Sequence, residues 1–386
     1  MDKEIKAAFD EFNKRASELP DEYKIPPAND KFSEGIQVPG QWVERYINYR
    51  ASISQDAQQA EKSKNYLDGI GQNSSDLAAK FRGAILGLAL GDALGTTLEF
   101  TRRDSSSHLT DIVGGGPFNL DSGQWTDDTS MALCLMHSLL KKGYFDAQDQ
   151  MKNYALWKNK GAFSVNGKCF DIGITVSAAI SKFEKTGEPY AGSSDPETAG
   201  NGSLMRLAPV PLFYFCNLDS VIKWSGESSR TTHGAAEAIS ACQYFSALIY
   251  GALRGVSKDE LIDGLFEPAQ GVWSRYHLSP SVVNLAKNFS QKSRDEIKST
   301  GYVIDTLEAA LWAFAKTDNF KDGAILAVNL GGDADTIGAV YGQLAGAYYG
   351  EYALPASWIQ KLWYKHFFYL KADELLKFGA SNYFTN

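Results

Sequence analysis

Cysteine is scarce in this 386-residue chain: Cys134, Cys169, Cys216 and Cys242 stand far apart, and no two form a C-x-x-C pair. Three of the four lie in apolar segments that read as buried, so the expectation is a reduced, cytoplasmic protein. Basic charge is also in deficit. A net charge of −8 argues against duplex nucleic acid as the main partner, while a locally positive pocket for a phosphorylated small molecule stays open. No long hydrophobic run is present. The most apolar stretch, residues 81–94, is interrupted by Asp92 and is too short to span a bilayer, and the N-terminus lacks the pattern of a signal peptide. No alternation of strand type and no internal repeat appears, which leaves an all-α chain: one globule of many helices, with any site built from several helix starts.

The remaining composition, 44% hydrophobic and 22% charged, is ordinary for a soluble globular protein and supports one large core or two modest ones. Residues 1–19 carry Ile5, Phe9, Phe12, Ala16 and Leu19 at helical spacing before Pro20. Residues 20–40 are rich in Pro and Gly and read as an extended arm, and residues 42–67 read as a second helix. Residues 1–78 hold 10 Lys/Arg against 14 Asp/Glu, half the net negative charge of the chain. The texture changes near Ser75, so residues 1–75 are taken as an N-terminal extension and residues 76–386 as the main domain. Aromatics such as Phe9, Phe32, Trp42 and Tyr46 on that acidic extension suit either packing on the domain or a partner surface.

A helix is expected to start near Asp76. Along it Gly83, Gly87, Gly91 and Gly95 recur every four residues, and the same spacing returns at Gly338, Gly342, Gly346 and Gly350. Glycine inside a helix costs about 1 kcal/mol relative to alanine, so two such stripes suggest two helix backbones packed against each other, with their polar ends brought together.

Those ends are acidic. Residues 329–342 read N-L-G-G-D-A-D-T-I-G-A-V-Y-G, placing Asp333, Asp335 and Thr336 at a helix start. Residues 123–133 read G-Q-W-T-D-D-T-S-M-A-L, placing Thr126, Asp127 and Asp128 before an expected helix at 131–140. Either cluster alone suits a helix cap as readily as a metal half-site. Together, with mirrored composition, they point to a two-metal site, because carboxylates this close repel unless a cation or proton lies between them. Oxygen ligands without Cys or His suit Mg²⁺, Mn²⁺ or Ca²⁺ rather than zinc.

Further along, Asp171 in F-D-I-G-I-T is expected to begin another helix, with a cap as the plain reading. G-N-G-S-L-M-R at residues 200–206 reads as a small-residue loop opening a helix, where backbone N–H groups can approach phosphate or sugar oxygens. His233, before a helix at 234–253, reads as a satisfied structural histidine or a ligand contact. Tyr302 leads an amphipathic helix at 301–315.

These blocks resemble the ADP-ribosylglycohydrolases. G-D-A-L-G-T-T-L-E at 91–99, W-T-D-D-T at 125–129, D-I-G at 171–173 and G-N-G-S-L-M-R at 200–206 carry the resemblance. T-H at 232–233, G-Y-V-I-D-T-L-E-A-A-L-W-A-F at 301–314 and V-N-L-G-G-D-A-D-T-I-G-A-V at 328–340 complete it, in the family's order, over about residues 76–355. The resemblance implies an orthogonal helix bundle around a cleft with two Mg²⁺ or Mn²⁺ ions, and hydrolysis of the bond linking ADP-ribose to a protein side chain. It implies that Thr126, Asp127 and Asp128 bind one ion and Asp333, Asp335 and Thr336 the other, with Asp335 bridging. Glu99 matches a ligand or general base, and Asp171 a position that contacts the ribose or the scissile linkage. Asn201, Gly202, Ser203, Met205, His233 and Tyr302 match substrate-binding positions.

The block at 301–340 is closest to arginine-type bacterial enzymes, which favours ADP-ribosylarginine; serine or another acceptor is the alternative. The ADP-ribosylated protein would then be the main partner. Three settings stay open: an immunity protein whose residues 1–75 also block an ADP-ribosyltransferase toxin, a regulatory hydrolase of the dinitrogenase-reductase-activating type, and a non-catalytic structural protein on this fold, which the intact metal motifs disfavour.

Overall fold

The structure, a computed structural model, describes residues 74–381. The helices expected at 1–19 and 42–67, with the arm between them, lie outside the described residues. In chain order the helices are α1 (Ser74–Gly95), α2 (Asp127–Lys142), α3 (Ala147–Lys160), α4 (Ile174–Thr186), α5 (Pro209–Phe213), α6 (Leu218–Arg230), α7 (Ala236–Leu253) and α8 (Lys258–Ile262). There follow α9 (Val272–Tyr276), α10 (Pro280–Asn288), α11 (Val303–Lys316), α12 (Phe320–Val328), α13 (Ala334–Tyr349), α14 (Ala356–Lys361) and α15 (Lys365–Ser381). Among the described residues no β-strand forms, only isolated bridges such as Gly200 with Tyr302. The all-helical expectation holds.

The two glycine stripes face each other. Gly83, Gly87 and Gly91 of α1 lie against Gly346, Gly342 and Gly338 of α13, and Gly95 lies against Ala334 and Asp335. The numbering runs in opposite directions, so the helices are antiparallel, and the C-terminus of α1 meets the N-terminus of α13. A methyl group on Gly91 would overlap the Gly338 carbonyl. Helix propensity has been given up along both elements to let the backbones touch. The consequence is positional: the segment that follows α1 and carries Glu99 is held at the acidic start of α13.

One continuous apolar core surrounds this pair, drawing on most of the helices and including Trp125, Trp157, Trp312 and Trp358. Trp125 fixes the turn to which it belongs. Its ring stands edge-on to Phe368 of α15 at 5.2 Å and to Tyr364 at 5.7 Å. The Trp363 amide donates to the Gly123 carbonyl at 3.1 Å. The turn that delivers Thr126 and Asp127 is thus clamped from behind by the aromatic C-terminal segment.

Two local expectations are corrected. Asp171 does not begin a helix: α4 starts at Ile174 behind Gly173, and Asp171 sits before it in left-handed backbone at φ 58. G-N-G-S-L-M-R opens no helix either, because residues 201–206 form a series of turns and α5 begins only at Pro209.

Candidate metal and catalytic site

The capping reading of the acidic clusters fails on geometry. Thr126 and Asp333 occupy the N-cap positions of α2 and α13, yet neither side chain makes a cap hydrogen bond. The caps come from elsewhere. Asp92 of α1 accepts from Thr126 N at 2.8 Å and Thr126 Oγ1 at 2.9 Å through one oxygen, and from Thr129 N at 3.0 Å and Thr129 Oγ1 at 2.6 Å through the other. Glu99 Oε2 accepts from Ala334 N at 3.0 Å. A carboxylate at each helix start satisfies orphan amides and complements the dipole. The acids native to each helix are thereby released to face one another.

They meet across the α1–α13 seam. Oxygens of Asp92, Asp128 and Asp335 lie within 4.8 Å of one another, as do those of Glu99, Asp333 and Asp335. Asp335 belongs to both groups. Thr126 Oγ1 stands 2.9 Å from Asp92, 3.0 Å from Asp128 and 3.1 Å from Asp335, although one hydroxyl proton can serve only one of them. Asp128 Oδ1 is buried without any hydrogen-bond partner. None of these carboxylates, nor Asp127 or Asp171, forms an ion pair among the described residues.

Burial and mutual repulsion govern their protonation. Burial first, and then the Asp335 charge, push Asp92 up to about 7, Asp171 up to about 9 and Asp333 up to about 6. The same two causes raise Glu99 far above the carboxylate range. Burial raises Asp127 and Asp128 well above it, with Asp128 the main neighbour of the first and Asp92 of the second. Acids packed this densely cannot all ionise without positive charge between them. An orphaned carboxylate oxygen in an all-oxygen donor set fits a divalent cation of the Mg²⁺ or Mn²⁺ type.

Each expected site residue can now be placed. Thr126, Asp127, Asp128, Asp333, Asp335 and Thr336 line one seam, with Thr336 N donating to Asp335 Oδ1 at 2.8 Å. Asp127 is buried beside the others but falls in neither oxygen group. Glu99 is 5% exposed, and the charges of Asp335 and Asp333 act on both Glu99 and Asp171. Asn201 reaches in from the middle of the chain, donating to Asp333 Oδ2 at 2.7 Å and Thr306 Oγ1 at 2.8 Å. Its loop is docked on the start of α11, where Asn201 N donates to Gly301 O at 3.1 Å.

Gly202 lies over the His233 ring with no room for a side chain. His233 is buried, and its Nδ1 meets Thr232 Oγ1 at 2.9 Å. The Arg206 guanidinium donates to that same hydroxyl at 2.7 Å, which leaves the threonine proton for His233 Nδ1. Burial and Arg206 pull the imidazole down to about 3, so it is neutral. Ser203 turns its hydroxyl inward to Ser229 at 2.8 Å, and Met205 is 3% exposed. Tyr302 is 37% exposed, and its hydroxyl donates to Glu237 at 2.6 Å.

Two polar residues escaped sequence reasoning. Asp92 is the caps' chief acceptor; it stands as an isolated acid inside an apolar glycine-striped helix and within the block at 91–99, yet neither gave it a role. Gln343 of α13 accepts from Ala208 N at 2.7 Å and donates to Met205 O at 2.6 Å, anchoring the loop at 200–206. Nothing in its neighbourhood marks it.

The chain is similar to known proteins. The model of the ADP-ribosylglycohydrolase family matches residues 73–382. The ADP-ribosylarginine hydrolase Tri1 of Pseudomonas putida (strain GB-1) is 42% identical over 339 residues, covering 87% of this chain and 89% of that protein. Its counterpart in Serratia proteamaculans (strain 568) is 44% identical over 292 residues, 75% of this chain and 76% of that one. The ADP-ribosyl-[dinitrogen reductase] glycohydrolase of Rhodospirillum rubrum is 33% identical over 284 residues, 72% and 89% of the two chains. A solved ADP-ribosylglycohydrolase-related protein complex matches with a TM-score of 0.69 at 41% identity, covering 79% of this chain and 99% of the other. The Pseudomonas match takes in more of this chain than residues 73–382 supply, so the similarity continues into the N-terminal extension.

Proposed function

Because this chain belongs to the ADP-ribosylglycohydrolase family, we propose that it hydrolyses the bond joining ADP-ribose to arginine side chains of proteins. The observation that carries the chemistry is Asp335, shared between two buried acid groups at the meeting point of α1 and α13. The acceptor rests on similarity to relatives named as ADP-ribosylarginine hydrolases, at 42% and 44% identity.

Thr126, Asp127 and Asp128 would hold one divalent cation and Asp333, Asp335 and Thr336 the other, with Asp335 common to both. Two such cations, Mg²⁺ or Mn²⁺, supply Lewis-acid polarisation and offset the charge of the acids. Asp92 keeps Thr126 and Asp128 in place by holding the first turn of α2. Asn201 does the same for Asp333. With the charge of its neighbours offset, Glu99 would be ionised and would take the proton of the attacking water, and Asp171 would orient the ribose or the linkage. The water oxygen bonds to C1″ of the ribose as the C1″–N bond breaks. The bonding pair leaves with the guanidino nitrogen, which gains a proton, and the products are ADP-ribose and unmodified arginine. The carboxylates around C1″ favour the oxocarbenium-like charge of the transition state. Gly202, Ser203 and Met205 contribute the loop beside the phosphates and ribose, His233 its neutral support, and Tyr302 its rim.

The test offers arginine-linked and serine-linked ADP-ribose side by side and follows released ADP-ribose, with Mg²⁺ and after metal removal. Release from arginine in the presence of Mg²⁺ alone is expected. A preference for the serine linkage overturns the acceptor, and full turnover by metal-free protein overturns the metal site.

A second role is favoured by the acidic, aromatic extension at residues 1–75 and by the continuation of the Pseudomonas match into it. In this reading the extension binds an ADP-ribosyltransferase toxin and blocks it, while the catalytic domain removes the modification from its targets. The chain would then be an immunity protein.

A further inference from the structure

Aromatic side chains stand beside both acids to which the proposed hydrolysis gives a chemical role. Phe100 follows Glu99, and Phe170 precedes Asp171. Phe118, from the loop between α1 and α2, stands between them: its ring centroid is 6.4 Å from Phe100 at 72° and 5.3 Å from Phe170 at 58°. The three rings form a ladder between the residue that follows Glu99 and the residue that precedes Asp171. Among the described residues Phe100 is 69% exposed, and Ile174, three positions after Asp171, is 91% exposed. Large apolar groups with that exposure are few among the described residues, Tyr352 being the other, and these two lie close in the chain to Glu99 and Asp171.

The ladder is held firmly. Phe100 adopts left-handed backbone at φ 58, a strained state for a phenylalanine, and its amide donates to Gly332 O at 2.8 Å, one residue before Asp333. Thr97 Oγ1 donates to Gly114 O at 2.9 Å, and Gly116 is pressed against the Thr96 carbonyl, which docks the loop of Phe118 on the end of α1. Packing an apolar core explains neither the exposure of Phe100 nor the strain that aims it outward. Strained backbone retained beside an active site is a common sign of a functional contact.

We propose that this aromatic ladder receives the guanidinium and aliphatic stem of the modified arginine, and so selects the acceptor side of the scissile bond; the inference rests on the hydrolase reading given above. Charge complementarity favours this occupant. A planar cation stacks on aromatic faces, and the acids beyond the ladder draw it inward. A neutral serine acceptor would gain neither contact. The adenine ring of the same substrate is the other group that could stack here, and the experiment separates the two.

Phe100→Leu keeps an apolar side chain of similar bulk and removes the ring, and Phe100→Trp keeps a stronger ring; Phe118→Leu serves as an independent second site. Wild-type protein and these variants are given ADP-ribosylarginine with Mg²⁺, and binding of free ADP-ribose is measured separately. Phe100→Leu and Phe118→Leu should raise KM for ADP-ribosylarginine by about two- to thirty-fold, the span expected for a lost cation–π contact. Phe100→Trp should keep KM at or below the wild-type value, and ADP-ribose should bind all four proteins alike. If ADP-ribose binding weakens in step with KM, the ladder holds the nucleotide and the proposal is wrong. Unchanged KM in both leucine variants also overturns it. Wild-type protein that releases nothing from arginine would instead overturn the hydrolase reading itself.

Discussion

Asp128 concentrates the physical problem of this site in one side chain. One of its oxygens is buried with nothing to bond, and burial with the Asp92 and Asp335 charges raises it well above the usual carboxylate value. The folded values of Asp92, Asp171 and Asp333, about 7, 9 and 6, lie above the roughly 3.9 of an unfolded aspartate. Metal-free folded protein therefore binds more protons than the unfolded chain. The stability this contributes is fully present below about pH 4 and is lost as pH rises through those folded values. His233, at about 3 when folded, works the other way, and its contribution is lost as pH falls below about 6.5. The window from about pH 6.5 to 8 lies above the loss from His233 and below the usual cysteine value of about 8.5, so it isolates the acids. Across it the melting temperature of metal-free protein should fall, and saturating Mg²⁺ should restore it most at the alkaline end. Asp128→Asn removes one of the raised acids, so it should flatten the metal-free fall, blunt the response to Mg²⁺ and lower turnover more than about a hundred-fold. A flat metal-free curve in the wild type would contradict the electrostatic account.

At the scale of the element, the antiparallel contact of α1 with α13 does what neither helix does alone. It sets Asp92 over the start of α2 and Glu99 over the start of α13, so each helix is capped from outside and keeps its own acids free. The contact depends on the absence of side chains. Gly91→Ala would gain about 1 kcal/mol of helix propensity, but its methyl overlaps the Gly338 carbonyl, and overpacking of this kind costs about 3 kcal/mol or more. The second effect is larger, so the urea midpoint should drop. Because the seam also carries the acid groups, Mg²⁺ should bind more weakly to the variant. A variant as stable as wild type would mean that the stripe tolerates separation and does not set the site.

Across the whole molecule, the family match at residues 73–382 spans the helices from Ser74 onward, and the proposed partner-binding function is assigned to residues that precede it in the chain. The two roles make separable demands. Protein lacking residues 1–73 should still release ADP-ribose from arginine and should fail to capture an ADP-ribosyltransferase partner. Full-length Asp128→Ala should do the reverse. Equal capture by truncated and full-length protein, measured by pull-down and by inhibition of the transferase, would remove the extension from the proposal. Among the described residues no helix is long and apolar enough to cross a membrane, in keeping with the interruption of the most apolar stretch by Asp92.

Local pattern was enough to read the all-helical class, the contact between the glycine-striped helices and the two acidic clusters, since each is written in spacing along a few turns of chain. Similarity of ordered blocks carried the family. The sequence by itself also pointed to Glu99 and Asn201, but not to what they hold. Only the tertiary structure decided that Asp92 and Glu99 cap helices they do not belong to, that Asp335 joins two acid groups, and that Asp171 stands in left-handed backbone ahead of its helix. The reason is the range of the interactions. Helix periodicity and glycine clearance are settled within a few residues of each position. A cap supplied across 34 residues, or a tether from Asn201 to Asp333 across 132, appears only when the core has closed and brought those donors and acceptors together.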